Sequence, residues 1–97
     1  MNPYTLTKQP RDISAELAAR HKQLRKQMGY TQANMARRSG VSLGSLKRFE
    51  QSGEVSLSNL LKLARILGKL EEFEQVFAIP ENLEEIEKLF SDEMRGK

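Results

Sequence analysis

Residues 31–50 read TQANMARRSGVSLGSLKRFE, and this stretch decides the fold. Thr31 is a good N-cap for a short helix, because its hydroxyl can accept a hydrogen bond from a backbone N–H of the first turn. Gly40 can adopt a positive φ and therefore ends that helix. Ser42 then caps a second helix that runs over residues 43–51. Two short helices joined by a tight turn that contains glycine predict a helix-turn-helix.

The second of these helices has an inner and an outer face. Val41, Leu46 and Phe49 are spaced to pack it against a hydrophobic core. The outer face is left with small and basic residues: Leu43, Gly44, Ser45, Lys47 and Arg48. A helix inside a core gains nothing from small residues on its exposed face, whereas a helix that enters a major groove does.

Helical patterns continue on both sides of this stretch. Asp12 can cap a first helix with apolar residues at positions 13, 17, 24 and 28, and Ser56 can cap a helix over residues 57–67. The apolar stripe expected on the latter is Leu57, Leu60, Leu61, Ala64 and Leu67. A further apolar stripe follows, formed by Leu70, Phe73, Val76 and Phe77. Beyond Pro80, apolar residues recur every three to four residues over residues 83–90, with acidic residues between them, as in an amphipathic helix.

No stretch alternates between apolar and polar residues with the period of two that a strand requires. We therefore predict an all-α protein with one five-helix domain over residues 12–79. A flexible or extended N-terminal arm over residues 1–11 precedes it, and an acidic C-terminal tail with a short amphipathic helix over residues 80–97 follows it.

Charge divides the chain into two parts. Residues 1–69 hold thirteen Lys and Arg against four Asp and Glu, a formal charge of +9. Residues 70–97 hold three basic against nine acidic residues, a formal charge of −6. This asymmetry suggests a basic module that binds a polyanion, followed by an acidic appendage. The alternative is that the charged residues only cover solvated helix faces.

Several classes of protein lack the residues they need. The chain has no cysteine, which excludes disulfides and thiolate metal sites, and we expect its single histidine, His21, at the surface or core boundary. We find no nucleophile–base pair and no phosphate-binding glycine loop, so we expect no enzyme, no cofactor and no metal. No apolar run approaches the roughly 20 residues that span a bilayer, and no signal peptide is recognisable. We expect a cytoplasmic protein without membrane contact.

The sequence resembles the Xre or lambda-repressor-like helix-turn-helix family. The resemblance covers roughly residues 13–70 and rests on Leu24-Arg25, Gly29-Tyr30-Thr31-Gln32, Met35-Ala36, Gly40-Val41-Ser42, Leu46, Glu50 and the later Leu60, Leu63, Ala64, Leu67 and Gly68. It implies a lambda-repressor-like DNA-binding domain whose recognition helix begins at Leu43. Leu43 and Gly44 depart from the family, in which polar residues such as glutamine are common at these positions.

The resemblance also implies roles for single residues. The residues expected to face base edges are Leu43, Gly44, Ser45, Lys47 and Arg48, and an arginine can bind guanine through two hydrogen bonds. The residues expected near phosphates are Gln32, Ser42, Gln51, Ser52 and Arg38, although Arg38 could equally be a solvated surface residue. Arg25 and Glu50 are expected to form a structural ion pair instead of contacting DNA.

Two functions fit these expectations. The first is a transcriptional repressor or autoregulator that binds a palindromic operator in double-stranded DNA as a homodimer, since one recognition helix reads only a few base pairs. Its dimer surface would be Leu70, Phe73, Val76 and Phe77, which could equally pack in the core. The second is a HipB-like antitoxin, because small members of the family resemble antitoxins that neutralise a toxin partner such as a HipA-type kinase. The acidic tail would then bind the toxin.

Overall fold

The computed structural model describes residues 7–95, and this part of the chain is all α, with no strand. Six helices follow one another: α1 (Pro10–Gln27), α2 (Gln32–Ser39), α3 (Leu43–Ser52), α4 (Leu57–Ile66), α5 (Leu70–Phe73) and α6 (Leu83–Arg95). The all-α prediction is confirmed. The two helices of the helix-turn-helix are α2 and α3, and both begin at the predicted residues.

The hydrophobic core draws on four helices: α1 and α2 pack against α3, and α4 packs against α2. Its four largest fully buried side chains are Met35 from α2, Leu46 and Phe49 from α3, and Leu63 from α4. Burial of each such side chain contributes about 1.5–3 kcal/mol to folding. Because α3 supplies two of the four, its rotation about its own axis is set by the core, and its opposite face must point outward.

The turn between α2 and α3 is defined by its capping residues. Thr31 Oγ accepts a hydrogen bond from the Asn34 backbone N–H at 3.0 Å, and Ser42 Oγ accepts one from the Ser45 backbone N–H at 3.1 Å. Gly40 ends α2 with φ of 80°, a conformation that glycine adopts without steric cost. The caps therefore set where α3 begins relative to α2.

The N-terminus of α1 differs from the prediction. The helix begins at Pro10, after Gln9 as N-cap, and the Asp12 carboxylate accepts a hydrogen bond from the Gln9 backbone N–H at 2.8 Å. Asp12 thus stabilises the N-terminus from inside the first turn. Residues 10 and 11 of the predicted arm consequently lie in α1, and residues 1–6 of that arm lie outside the described part of the chain.

The buried face of α1 also differs from the prediction. Ile13 is 46% exposed and Met28 is 43% exposed, whereas Ala18, His21 and Arg25 are buried. The expectation that His21 lies at the surface or core boundary was wrong. Apolar spacing could not identify this face, because two of its buried residues are polar and are buried only through partners on other helices.

The C-terminal half of the domain departs from the predicted apolar stripes. Ala64 of the stripe predicted for α4 is buried, and Leu60 and Leu67 pack against the core, but Leu57 is 67% exposed and Leu63, outside that stripe, is fully buried. α5 is a single turn, and turns continue as far as Phe77, so residues 70–77 are not one helical stripe. Phe73 is half-buried, while the other three predicted members of the stripe are exposed: Leu70, Val76 and Phe77. α6 lies within the predicted tail, and residues 96 and 97 fall outside the described residues.

Candidate nucleic-acid interface

The outward face of α3 carries the residues predicted to read bases. Leu43 is 37% exposed, and Gly44, Lys47 and Arg48 are exposed, opposite the fully buried Leu46 and Phe49. Ser45 is half-buried at the edge of this face, and its hydroxyl oxygen accepts a hydrogen bond from the Ser42 hydroxyl at 2.8 Å. Four of the five side-chain positions are thus open to a partner, and the fifth is tied to the helix cap.

Gly44 has no role within the fold that would require glycine. Its φ is ordinary, and an added Cβ would meet no atom within 4 Å. Glycine inside a helix costs about 1 kcal/mol relative to alanine. The missing side chain therefore leaves open space on the outward face without any benefit to packing.

Gln32 lies at the first position of α2, beside α3. Its Nε2 donates a hydrogen bond to Glu50 Oε1 at 3.0 Å, which holds the amide while leaving its second N–H for another acceptor. One shallow cleft is lined by Gln32 and four neighbours: Lys22, Lys47, Glu50 and Gln51. Two of the residues predicted near phosphates, Gln32 and Gln51, therefore lie together beside two lysines.

Arg38 is exposed on α2, and its guanidinium lies 4.5 Å from the centre of the Tyr30 ring. A cation over an aromatic face is attracted to it, at an exposed site by about 0.5–1 kcal/mol. The ring thus orients the Arg38 guanidinium while its donors stay accessible.

A buried polar cluster behind the interface joins three helices through Glu50 of α3. The Glu50 side chain is only 3% exposed, and its carboxylate accepts hydrogen bonds from Arg25 Nε at 2.8 Å, Arg25 Nη2 at 3.0 Å and His21 Nδ1 at 2.7 Å. Arg25 Nη1 donates to the backbone oxygen of Tyr30 at 2.8 Å. With the Gln32 hydrogen bond, the cluster connects α1, the start of α2, and α3. Sequence reasoning paired Arg25 with Glu50 but missed His21, although positions 21 and 25 share one face of α1.

The cluster holds His21 neutral and Glu50 charged. Burial lowers the pKa of His21 below its usual 6.5, against the opposing hydrogen bond and charge of Glu50. Burial alone would raise the pKa of Glu50, but the hydrogen bonds from Arg25, Gln32 and His21 outweigh it and lower that pKa below 4.5. The His21 ring packs edge-on against Phe49, and its buried Nε2 makes no hydrogen bond within the described residues. A proton on that nitrogen would be buried without an acceptor.

Gln51 and Ser52 lie in the last turn of α3, which ends one residue beyond the predicted end of the helix. The Ser52 hydroxyl donates to the Arg48 backbone oxygen at 2.7 Å and accepts from the Glu54 backbone N–H at 3.2 Å. Arg48 in turn forms an ion pair with the Glu54 carboxylate. This pair was not predicted, because it depends on how the chain turns after α3.

A family model described as helix-turn-helix matches residues 22–73, more than half of the chain. The chain belongs to the Xre/lambda-repressor-like helix-turn-helix family. It is a DNA-binding transcription regulator. No curated protein and no solved structure is similar enough to this helix-turn-helix regulator to count as a match. Within the described residues, no helix is long and apolar enough to cross a membrane, and no cluster of potential ligands could hold a metal ion.

We expect the stability of this helix-turn-helix regulator to fall as the pH is lowered from 7.5 to 5. Folding lowers the pKa of His21 and keeps its ring neutral. As the pH falls below 6.5, the unfolded chain takes up a proton on His21 that the folded chain does not, so the free energy of unfolding decreases. Urea unfolding at a series of pH values measures this loss. The variant His21→Gln carries no titratable group there and should show a flatter profile, because the chain has no other histidine. Identical profiles for the two proteins would contradict the conclusion that folding keeps His21 neutral.

Proposed function

We propose that the protein is a sequence-specific repressor or autoregulator that binds a palindromic operator in double-stranded DNA as a homodimer. The observation that carries the proposal is the outward face of α3, which combines small and basic residues on a helix held by two fully buried side chains. An α-helix fits the major groove, where each base pair presents its own pattern of donors and acceptors.

In the proposed complex, the contacts divide by the chemistry of the outward residues. Arg48 and Lys47 donate to base edges, Leu43 contacts a thymine methyl group, and the open space at Gly44 lets the helix approach the bases closely. Ser45 faces the bases from the edge of the helix. Phosphates on either side are bound by the remaining polar residues: Gln32, Ser42, Gln51, Ser52 and Arg38.

Arg48→Ala and Gln32→Ala should weaken DNA binding in two different ways. Loss of a base contact at Arg48 should cost about 1–3 kcal/mol on specific DNA and spare most of the affinity for scrambled DNA. Loss of a phosphate contact at Gln32 should weaken binding to both DNAs alike. Gel-shift titrations with the DNA upstream of the protein's own gene and with a scrambled duplex, at several salt concentrations, measure both effects.

The wild-type affinity should itself fall steeply with salt, since phosphate contacts release counterions. An equal loss on both DNAs for Arg48→Ala would make Arg48 a phosphate contact, and an affinity insensitive to salt would contradict DNA binding through this basic face.

The proposed homodimer forms through Leu70, Phe73, Val76 and Phe77. Its support is Phe77, which is 98% exposed and adopts φ of 60°. A bulky residue at positive φ is strained, and strain of this kind is concentrated at functional sites. Within one subunit, no burial of the Phe77 side chain compensates for this strain. A second subunit that buries the side chain would do so.

We expect Phe77→Asn to separate the subunits without loss of folding. Asparagine tolerates the left-handed conformation better than phenylalanine, so the thermal stability of one subunit should be unchanged or higher. Sedimentation velocity should show a shift from dimer to monomer, while the control Ile13→Ser, at an exposed apolar residue of α1, should remain dimeric. A wild-type protein that sediments as a monomer at high concentration, with and without DNA, would exclude the proposed dimer.

A second candidate function is that of an antitoxin that also binds and neutralises a partner protein. The observation that favours it is α6, which makes no extensive packing contact with the other described helices. Leu89 is 48% exposed and Phe90 is 59% exposed, on a helix whose Glu84 and Glu87 are also exposed. An amphipathic helix with a free apolar face suits binding to a groove on another protein.

Truncation after Pro80 tests this candidate. We expect the truncated protein to keep the wild-type affinity for DNA and to lose binding to the product of the gene next to its own, as measured by co-purification of the two proteins. If the full chain does not retain that product, or the truncated chain retains it equally well, the acidic tail has no such role.

A further inference from the structure

Arg48 is held by a closed ring of contacts at the C-terminal end of α3. Its Nε donates to Glu54 Oε2 at 3.0 Å, and its Nη2 donates to the same oxygen. The Ser52 hydroxyl closes the ring, since it donates to the Arg48 backbone oxygen and accepts from the Glu54 backbone N–H. The backbone and the side chain of Glu54 are therefore both tied to Arg48.

The position of Glu54 is set by the packing of its neighbour Gly53 against α1. Gly53 is buried with φ of 81°, and an added Cβ would lie 3.0 Å from the backbone carbon of Ser14. Contacts that close are rare for a real Cβ atom, and the positive φ strains any residue with a side chain, so this position strongly favours glycine. The segment that carries Glu54 is thus fixed by the interior of the domain, not only by the ion pair.

The ion pair leaves one edge of the guanidinium available. Glu54 takes the Nε side, and within the described residues Nη1 and the second N–H of Nη2 remain for an outside acceptor. Two parallel N–H groups match the O6 and N7 acceptors of guanine in the major groove. Arg48 could therefore bind a guanine while Glu54 still holds the adjacent edge of its guanidinium.

Stability does not account for this pair. The Arg48 and Glu54 side chains are 70% and 62% exposed, and exposed ion pairs add little to stability. Glu54 also places a negative charge beside the surface proposed to meet phosphates, where it opposes DNA binding in general. Neither stability nor general attraction to DNA therefore accounts for the acid, and its contact with Arg48 is the interaction that carries an explanation.

We propose that Glu54 is a positioning residue that determines sequence specificity by fixing the guanidinium of Arg48 for a guanine. The inference rests on the proposed function, since it requires Arg48 to contact a base. The Glu54 carboxylate then has two opposite effects. It lowers the affinity for all DNA, and it raises the preference for the correct base.

Glu54→Ala tests both effects, on affinity and on specificity. A binding site is first selected with the wild-type protein from a pool of randomised duplexes, and affinities are then measured for that site and for a scrambled duplex. We expect Glu54→Ala to bind scrambled DNA more tightly than wild type. We also expect the ratio of specific to scrambled affinity to fall about three- to tenfold, less than the full discrimination of an arginine–guanine contact.

Three variants serve as controls. Glu71→Ala removes one negative charge from α5, which packs against α4, and should leave the ratio unchanged. Ser52→Ala keeps the charge but removes the bridging hydroxyl, and should lower the ratio in the same direction as Glu54→Ala. In the Arg48→Ala background, Glu54→Ala should no longer change the ratio. Circular dichroism melts check that each variant is folded.

The possible results separate this inference from the function on which it rests. An unchanged ratio of specific to scrambled affinity in Glu54→Ala would mean that Glu54 affects DNA binding only through its charge. A higher ratio would mean that Glu54 shields Arg48 from DNA. Either result overturns the inference and leaves the proposed function standing. The same loss of ratio with and without Arg48 would also overturn it, because Glu54 would then act on DNA directly. If no sequence is enriched in the selection, the proposed sequence-specific function fails, and the inference fails with it.

Discussion

The arrangement of the domain depends on one buried carboxylate, that of Glu50. It accepts hydrogen bonds from His21 and Arg25 of α1 and from Gln32 of α2, and it is itself part of α3. A buried charge is tolerated only when its hydrogen-bonding capacity is filled, and removal of one partner of such a pair costs about 3–5 kcal/mol. The cluster therefore allows one relative position of the three helices, because other positions would leave a charge buried without its partners.

This constraint connects the interior with the surface proposed to bind DNA. The Gln32 amide gives one N–H to the buried carboxylate and keeps a second for another acceptor, so the interior sets the position of a side chain at the start of α2. Phe49, next to Glu50 in the chain, is fully buried and contacts the His21 ring. The same turn of α3 thus supplies both an apolar contact, from Phe49, and a polar contact, from Glu50, that fix the helix. The orientation of α3 is therefore set within the domain, before any partner binds.

The two ends of α3 hold their polar residues by different means. At the N-terminal end, Ser42 caps the helix and binds the Ser45 hydroxyl. At the C-terminal end, Gly53 packs closely against α1, and Ser52 ties the chain back to Arg48. Both ends of α3 are therefore anchored to the domain, and a helix held in place before binding reduces the conformational entropy that is lost on binding.

Much of this could be predicted from the sequence, because it depends on local rules. The caps at Thr31 and Ser42, the end of α2 at Gly40, and the inner and outer faces of α3 all follow from residue types at fixed spacing. The buried face of α1 could not be predicted, since His21 and Arg25 are polar and are buried only because Glu50 reaches them from another helix. The sequence alone therefore determined the all-α fold, the helix-turn-helix and the outward residues of its second helix. Only the tertiary structure decided that His21 is buried beside the Arg25–Glu50 pair and that Glu54 holds Arg48, because both depend on groups brought together by the path of the chain and not by their spacing along it.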